Sequence, residues 1–412
     1  MSDTTPRTDT GDRARRILTE IVSGSAMISV LAVVLAMAAG GVLIALTDVE
    51  VKAALPQVFT APGPVFGAAW DAVAGAYTSL FQGAVFNPRR DGLLQQVKPL
   101  TETLTFATPL IAAGLGVALA FRVGLFNIGG RGQMLVAAAC AGWVGFSLDL
   151  PVGVHLVAAV AAGVVGGALW GGVAGVLKAR TGAHEVIVTI MLNYVAFYLV
   201  SYLLRTPVLQ APGSSNPKTP PIAESAVLPL LLGERFNLTL GFVLVIVATV
   251  FAWWLLDRSA LGFRFKAVGI NPEAARVAGI DVKGVHVTAL LLAGGLVGLA
   301  GVTQVLGPAQ AGFTSGIDAG IGFDAITVAL LGRSRPWGVF AAGILFGAFK
   351  AGGFLMQAAE GVPVDIVLVV QSLIVLFIAA PPLVRAIFRL PDPAARRVTA
   401  AVPTTPEAVS AR

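Results

Sequence analysis

Long apolar runs separated by short polar breaks fill most of the chain, and the runs have the length that crosses a bilayer, about 20 residues for a hydrocarbon core about 30 Å thick. The pattern predicts spans over 24–46, 103–120, 124–146, 151–177, 186–204, 238–256, 287–306, 308–331, 337–355 and 363–380. The expected fold is therefore an all-α polytopic membrane protein of about ten transmembrane helices. Its most charged internal interval, DRSALGFRFKAVGINPEAARVAGIDVKGVH from Asp257 to His286, divides the apolar sequence into two blocks. Within it Asn271 suits a helix N-cap, Pro272 the first helical position and Glu273 the positive end of the helix dipole, while Gly279 is a stop. A helix of about two turns is expected from Asn271 to Ala278.

Two spans are broken by polar, glycine-rich sequence. Between the second and third, RVGLFNIGGRGQ places Arg122, Asn127, Arg131 and Gln133 between strongly apolar stretches. Gly129, Gly130 and Gly132 permit backbone that a regular helix cannot hold, and such backbone is tolerated at membrane depth only where protein or a watery cavity covers it. The break is either part of a transport pathway or an ordinary turn. The eighth span carries AGFTSGIDAGIGFDAITVALL, whose unbroken part, 323–331, rises only about 14 Å and cannot cross alone. A discontinuous span is expected there, with Asp318 and Asp324 near a helix start, where each either caps free N–H groups or faces cargo.

On the fifth span Glu185, Thr189 and Asn193 recur four apart and share a helical face. Buried polar groups in lipid need partners, so that face should point into the bundle, toward a substrate or a neighbouring helix. In the segment 47–102, Phe66, Trp70, Val73, Tyr77, Leu80 and Phe81 recur at helical spacing, which predicts an amphipathic helix on the outer membrane surface or a docking surface there. The loop over 205–237, with APGSSNPKTPP, fits no regular element.

Composition agrees with a membrane class: of 412 residues 56% are hydrophobic and only 12% charged, against roughly a quarter charged in soluble domains. The 48 glycines fit spans that pack backbone to backbone. A formal charge of +6 does not point to nucleic acid, because the basic residues flank apolar segments and form no stripe with aromatics. They follow the positive-inside rule: Arg7, Arg13, Arg15 and Arg16 precede the first span, Arg258, Arg264, Lys266, Arg276 and Lys283 lie in the central interval, and Arg385, Arg389, Arg396 and Arg397 close the chain. That bias puts both termini and the central interval in the cytoplasm. The single cysteine, Cys140, and the scattered His155, His184 and His286 suggest neither a disulfide nor a metal site.

The expected division runs from a cytoplasmic tail over 1–23 and an extra first transmembrane helix over 24–46 to an extracytoplasmic segment over 47–102. A first transmembrane repeat follows over 103–204, then an extracytoplasmic loop over 205–237, a sixth transmembrane helix over 238–256 and the cytoplasmic loop over 257–286. A second repeat over 287–381 and a cytoplasmic tail over 382–412 complete it. Spans two to five begin outside and spans seven to ten inside, each block with an early break, which is the layout of an inverted repeat.

Four stretches in order, ATPLIAAGLGVALAFRVGLFNIGGRGQ from Ala107, HEVIVTIMLNYVA from His184, GINPEAARVAGI from Gly269 and GFDAITVALLGRSRPWG from Gly322, resemble the permease subunits of ABC importers of the branched-chain amino acid and ribose type, in particular the branch for nucleosides and simple sugars. The resemblance covers roughly 99–382. The chain has Arg131 where that family commonly has Glu. It implies a permease that transports and catalyses no reaction, in the cell membrane, working with a second, homologous permease subunit, two cytoplasmic ATPases and an external substrate-binding protein or lipoprotein. Asn271, Pro272, Glu273, Ala274, Arg276 and Gly279 then correspond to a coupling helix that sits on an ATPase, and Asn127, Gln133, Glu185, Thr189, Asn193 and Asp324 are the candidates for the substrate pathway.

No GxxxxGK[ST] run occurs, so the chain binds no cofactor directly and ATP is used by partner subunits. Nucleosides are the expected cargo, with monosaccharides the alternative. An ion-coupled carrier would need a protonatable cluster near the midplane, for which Glu185 and Asp324 are the only internal candidates.

Overall fold

The computed structural model describes residues 25–389, which are helical apart from loops and one isolated antiparallel bridge, Leu230 to Thr239. The tail over 1–23 and most of the tail over 382–412 fall outside the described residues. In order the helices are α1 (Ser25–Thr47), α2 (Val49–Ala54), α3 (Pro62–Ala84), α4 (Leu93–Gln96), α5 (Lys98–Arg122), α6 (Gly130–Ser147), α7 (Val154–Thr181) and α8 (Glu185–Leu203). Then come α9 (Gly241–Arg258), α10 (Ala260–Ile270), α11 (Pro272–Val277), α12 (Val282–Val305), α13 (Ile321–Leu331), α14 (Pro336–Glu360), α15 (Val364–Ala379) and α16 (Pro381–Ile387). Of the described residues, 25–43 and 368–389 form one compact unit and 44–367 another. In the first, α16 turns from α15 by 95°. The second holds both breaks and the central interval.

The expectation of ten spans is corrected. Among the described residues seven helices are long and apolar enough to cross a membrane, or up to eight if the bent pair α15 and α16 is one span. The expected spans that drop out in either count are the third and the eighth, the two that contain the glycine-rich breaks, and the tenth is kept only as the bent pair. Helix α6 has 18 residues but opens with GRGQ, so Arg131 and Gln133 occupy its first turn and small residues dilute the rest. Helix α13 has 11 residues and rises about 16 Å, half of what a core about 30 Å thick demands. An inverted repeat of two blocks with four full spans each falls with that count. The packing is nonetheless reciprocal: α7 lies on α12 and α14 on α5, while α6 leans on α12 and α13 on α5.

Glycine makes the largest of these contacts. On α7 a row at four-residue spacing, Gly163, Gly167, Gly171 and Gly175, faces α12, where Gly294 and Gly298 meet it. A Cβ on Gly167 would come within 2.6 Å of the Gly294 carbonyl oxygen and 2.7 Å of the Gly298 Cα. The backbones thus touch, and dispersion between them supplies attraction that lipid-equivalent side chains could not. Helix α3 uses the same device: its Ala76, Ser79 and Gly83 side packs on α14 around Gly352, and Ser79 Oγ donates to Glu360 Oε1 at 2.8 Å. Its Phe66, Trp70 and Phe81 are left exposed.

The loop over 205–237, unassigned by its composition, is tied down by its backbone. Thr219 N donates to Phe313 O at 3.1 Å, Ile222 N to Gln310 O at 2.8 Å and Leu228 N to Leu306 O at 2.8 Å. His155, fully buried, joins this loop to the bundle through Ser225 Oγ at 2.7 Å and Val144 O at 2.9 Å. That is a structural histidine.

The glycine row gives a paired test. Gly171→Ala would drive a methyl into the Leu290 carbonyl and the Gly294 backbone, whereas at neighbouring Gly172 the nearest atom is 3.7 Å from a new Cβ. Thermal unfolding of the purified protein should show a loss of about 1–3 kcal/mol for the first and no measurable loss for the second.

Candidate functional site

Where α5 ends, the chain runs without helix from Val123 to Gly129 and re-enters helix at Gly130. Asn127 and Gln133 are 0% and 1% exposed, and their amides pair reciprocally, Asn127 Nδ2 donating to Gln133 Oε1 and Gln133 Nε2 to Asn127 Oδ1, both at 3.2 Å. Asn127 Oδ1 also accepts from Gly129 N at 2.9 Å, which closes the local turn.

The polar face of α8 supplies the remaining partners. Ile128 N donates to Thr189 Oγ1 at 3.3 Å, Gly132 N to Asn193 Oδ1 at 2.8 Å, and Asn193 Nδ2 donates to Ile128 O at 2.9 Å. Phe126 N reaches Glu185 Oε1 at 3.5 Å, and the other carboxylate oxygen of Glu185 pairs with Lys178 Nζ at 2.7 Å. Five of the sequence-identified residues, Asn127, Gln133, Glu185, Thr189 and Asn193, therefore form one buried network around the break, to which each of them gives at least one hydrogen bond. One donor nearby is left over: Trp170 Nε1, buried and without a partner among the described residues, lies 3.0 Å from where a Cβ on Gly132 would be.

The second break meets the first. A Cβ on Gly130 would approach Gly322 O to 2.8 Å, and one on Gly322 would strike the Arg131 backbone, so the starts of α6 and α13 cross in direct backbone contact. Only glycine on both sides allows that approach. Arg131 Nε pairs with the buried Asp318 Oδ1 at 3.3 Å, and its guanidinium lies 4.8 Å from the centre of the Phe197 ring on α8. Asp318, beside the first turn of α13, also accepts from Gly320 N at 3.4 Å, a favourable place for a carboxylate. Asp324 is not part of this crossing; its Oδ2 pairs with Lys350 Nζ of α14 at 2.7 Å.

Opposite the polar face of α8 lies one that the sequence reading passed over. Of the chain's four tyrosines, Tyr194, Tyr198 and Tyr202 recur four apart there and are 55%, 67% and 66% exposed. Tyr194 stands nine residues into the helix, about 14 Å from its start and near the middle of a core about 30 Å thick. The signal was available: a tyrosine at mid-span is outside the interfacial belt where tyrosine normally gathers.

The central interval folds as α10 and α11. Asn271 Oδ1 accepts from Glu273 N and Ala274 N, both at 3.0 Å, and Gly279, at φ +82°, ends the turn with Ile280 N donating to Ala275 O and Gly279 N to Arg276 O. That pair of bonds is a Schellman stop. Arg276 and Glu273 pair at 2.7 Å on the exposed side, and Val277 and Ile270 stand 90% and 75% exposed. Behind them Gly269 packs its backbone on Arg122 O, and Arg122 Nε donates to Ser334 O at 2.8 Å, within a turn where Arg333 and Ser334 have φ near +50°.

The family model for the permease component of the branched-chain amino acid transport system matches residues 100–379. A guanosine ABC transporter permease protein of Bacillus subtilis (strain 168) is 38% identical over 317 residues, 76% of this chain and 87% of its own. A glucose ABC transporter permease protein of Haloferax volcanii is 37% identical over 288 residues, covering 68% of this chain and 75% of its own. For a nucleoside ABC transporter permease protein of Lactococcus lactis subsp. cremoris the figures are 34% over 293 residues, 69% and 80%. No solved structure matches the chain.

Asn193 is the residue on which the break leans most, since one amide serves both Gly132 N and Ile128 O. Replacing it with alanine leaves a buried donor and a half-buried acceptor unpaired. Denaturation of the purified Asn193→Ala protein should show a loss of about 2 kcal/mol or more.

Proposed function

Because the chain belongs to the family of permease components of the branched-chain amino acid transport system and is a permease subunit of an ABC importer, we propose that its cargo is a nucleoside. Two of the relatives described above are permeases for guanosine or nucleosides. The glucose permease relative supports a monosaccharide as the second reading. Either cargo is an uncharged, hydroxyl-rich solute.

Membership of this family implies an ATPase and a substrate-binding partner. In finer terms, the importer pairs this subunit with a second, homologous permease on two cytoplasmic ATPases, and an external binding protein or lipoprotein delivers the cargo. The N- and C-termini and the loop of α10 and α11 face the cytoplasm, consistent with the clustering of basic residues. The capped and stopped α11, presenting Glu273, Arg276 and Val277 to solvent, is the ATPase dock. The observation that carries this role is that an exposed apolar tip is mounted on a joint, Gly269 on Arg122 O, whose other side is the start of the first break. Movement of α11 would be passed to that break.

The crossing of α6 and α13 forms a wall of the pathway. Asn127, Gln133, Glu185, Thr189 and Asn193 hold that wall in shape, and Asp324 with Lys350 braces α13 against α14. The pathway itself runs along the tyrosine face of α8. A phenol in lipid at mid-span would have no partner for its hydroxyl, and Arg131, 30% exposed, lies beside the same helix. Tyrosine rings offer a stacking surface to a nucleobase.

Docking is tested by reversing the charges of the pair, Glu273→Arg with Arg276→Glu. ATP-dependent uptake should be lost while the amount of protein in the membrane is unchanged, and full uptake would remove the dock from α11. For cargo, uptake of labelled guanosine into cells carrying the importer should be competed by other nucleosides and not by a hundredfold excess of glucose. Competition by glucose alone would transfer the assignment to sugars.

A further inference from the structure

At the end of α9 that adjoins the central interval, a cleft of about 300 Å³ opens between the ends of α5, α9 and α10. Arg122, Arg258 and Lys266 line it, with Asp257 the single carboxylate. None of these three cations takes part in an ion pair among the described residues. Among the described residues Arg122 spends only its Nε, on Ser334 O. Helix α10 starts in the wall of the cleft: Ser259 caps it, its Oγ accepting from Gly262 N at 3.0 Å, so the positive end of the helix dipole adds to the field.

The cleft continues into an apolar track. Val243, Val247, Val250, Phe251 and Trp254 occupy one face of α9 and are 38–59% exposed, and the next residue on that face is Arg258. The guanidinium of Arg258 lies 5.6 Å from the ring centre of Trp253, a contact that steadies the cation, and tryptophan is the residue that gathers at the level of lipid headgroups. A stripe that welcomes hydrocarbon and terminates in a pocket of unpaired cations is complementary to one class of molecule, with acyl chains at one end and an anionic phosphate at the other.

We propose that this cleft is a headgroup site for an anionic phospholipid whose acyl chains run along α9. The site is distinct from the cargo pathway and from the exposed tip of α11, and shares Arg122 with the joint behind that helix. Three cations around one phosphate favour a negatively charged headgroup over a zwitterionic one, because the choline of the latter brings a further positive charge to a positive pocket. A lipid seated here would bridge α5, α9 and α10.

The test uses the full chain purified with its partner subunits in detergent and titrated separately with phosphatidylglycerol, phosphatidylcholine and inorganic phosphate. Melting temperature and lipid adducts in native mass spectrometry are the readouts. Phosphatidylglycerol should remain bound and stabilise more than phosphatidylcholine, and the double variant Arg258→Gln with Lys266→Gln should weaken its binding about tenfold or more. Arg264→Gln, an exposed cation outside the cleft, should leave it unchanged. Equal binding of the two lipids, or wild-type binding by the double variant, would overturn the proposal. An equal shift with inorganic phosphate would make this a free-anion site, and a crosslink from Lys266 to an acidic residue of the ATPase would assign it to that partner; either result also overturns it.

Discussion

Backbone that leaves a helix inside a bilayer must find partners from the protein, because hydrocarbon offers none. The non-helical stretch before α6 has that requirement, and the inward face of α8 answers it. Thr189 and Asn193 satisfy Ile128 and Gly132 in the way that strand neighbours would in a sheet, and Glu185 with Lys178 closes the row. Once that face is committed, the rotation of α8 about its axis is fixed. The opposite face, with Tyr194, Tyr198 and Tyr202, is then necessarily the one turned away from the bundle.

The same requirement explains where the ionised side chains go. Each of three buried or half-buried cations meets an acid from a different element: Lys178 with Glu185, Arg131 with Asp318, Lys350 with Asp324. Removing one partner of such a pair strands a charge, so the pairs specify which helices meet more than they add stability. Arg131 and Asp318 in particular join the first break to the second, at the point where Gly130 and Gly322 already bring the backbones together.

Periodicity made most of the fold legible, and chemistry made part of the site so. The long apolar helices, the capped α11 and the inward face of α8 all follow from spacing and from residue types with one strong local preference, such as Asn271 at an N-cap and Gly279 at a stop. The span count failed where a run was apolar enough to read as a span but was interrupted by glycine, because hydropathy alone does not tell a short helix behind a break from a crossing one. Partners distant in sequence were also out of reach: nothing in the sequence around Arg131 points to Asp318, 187 positions away. The three tyrosines stand at plain helical spacing, but an aromatic ring on a span, unlike a carboxylate or an amide, makes no demand for a buried partner that would single it out.

The two breaks and the exposed α11 are distant along the chain yet joined by few steps. From Phe126 the chain goes back through Val123 to Arg122, whose carbonyl supports Gly269 and whose guanidinium holds Ser334; two residues after Gly269 comes the cap of α11. Gly269 cannot carry a side chain without pushing that carbonyl away, so the α10 backbone and the end of α5 move together or separate. Packed interfaces of this kind shift between discrete arrangements and do not stretch. A force applied at α11 therefore has a short, stiff route to the break, and the cationic cleft, which shares Arg122, lies on that route.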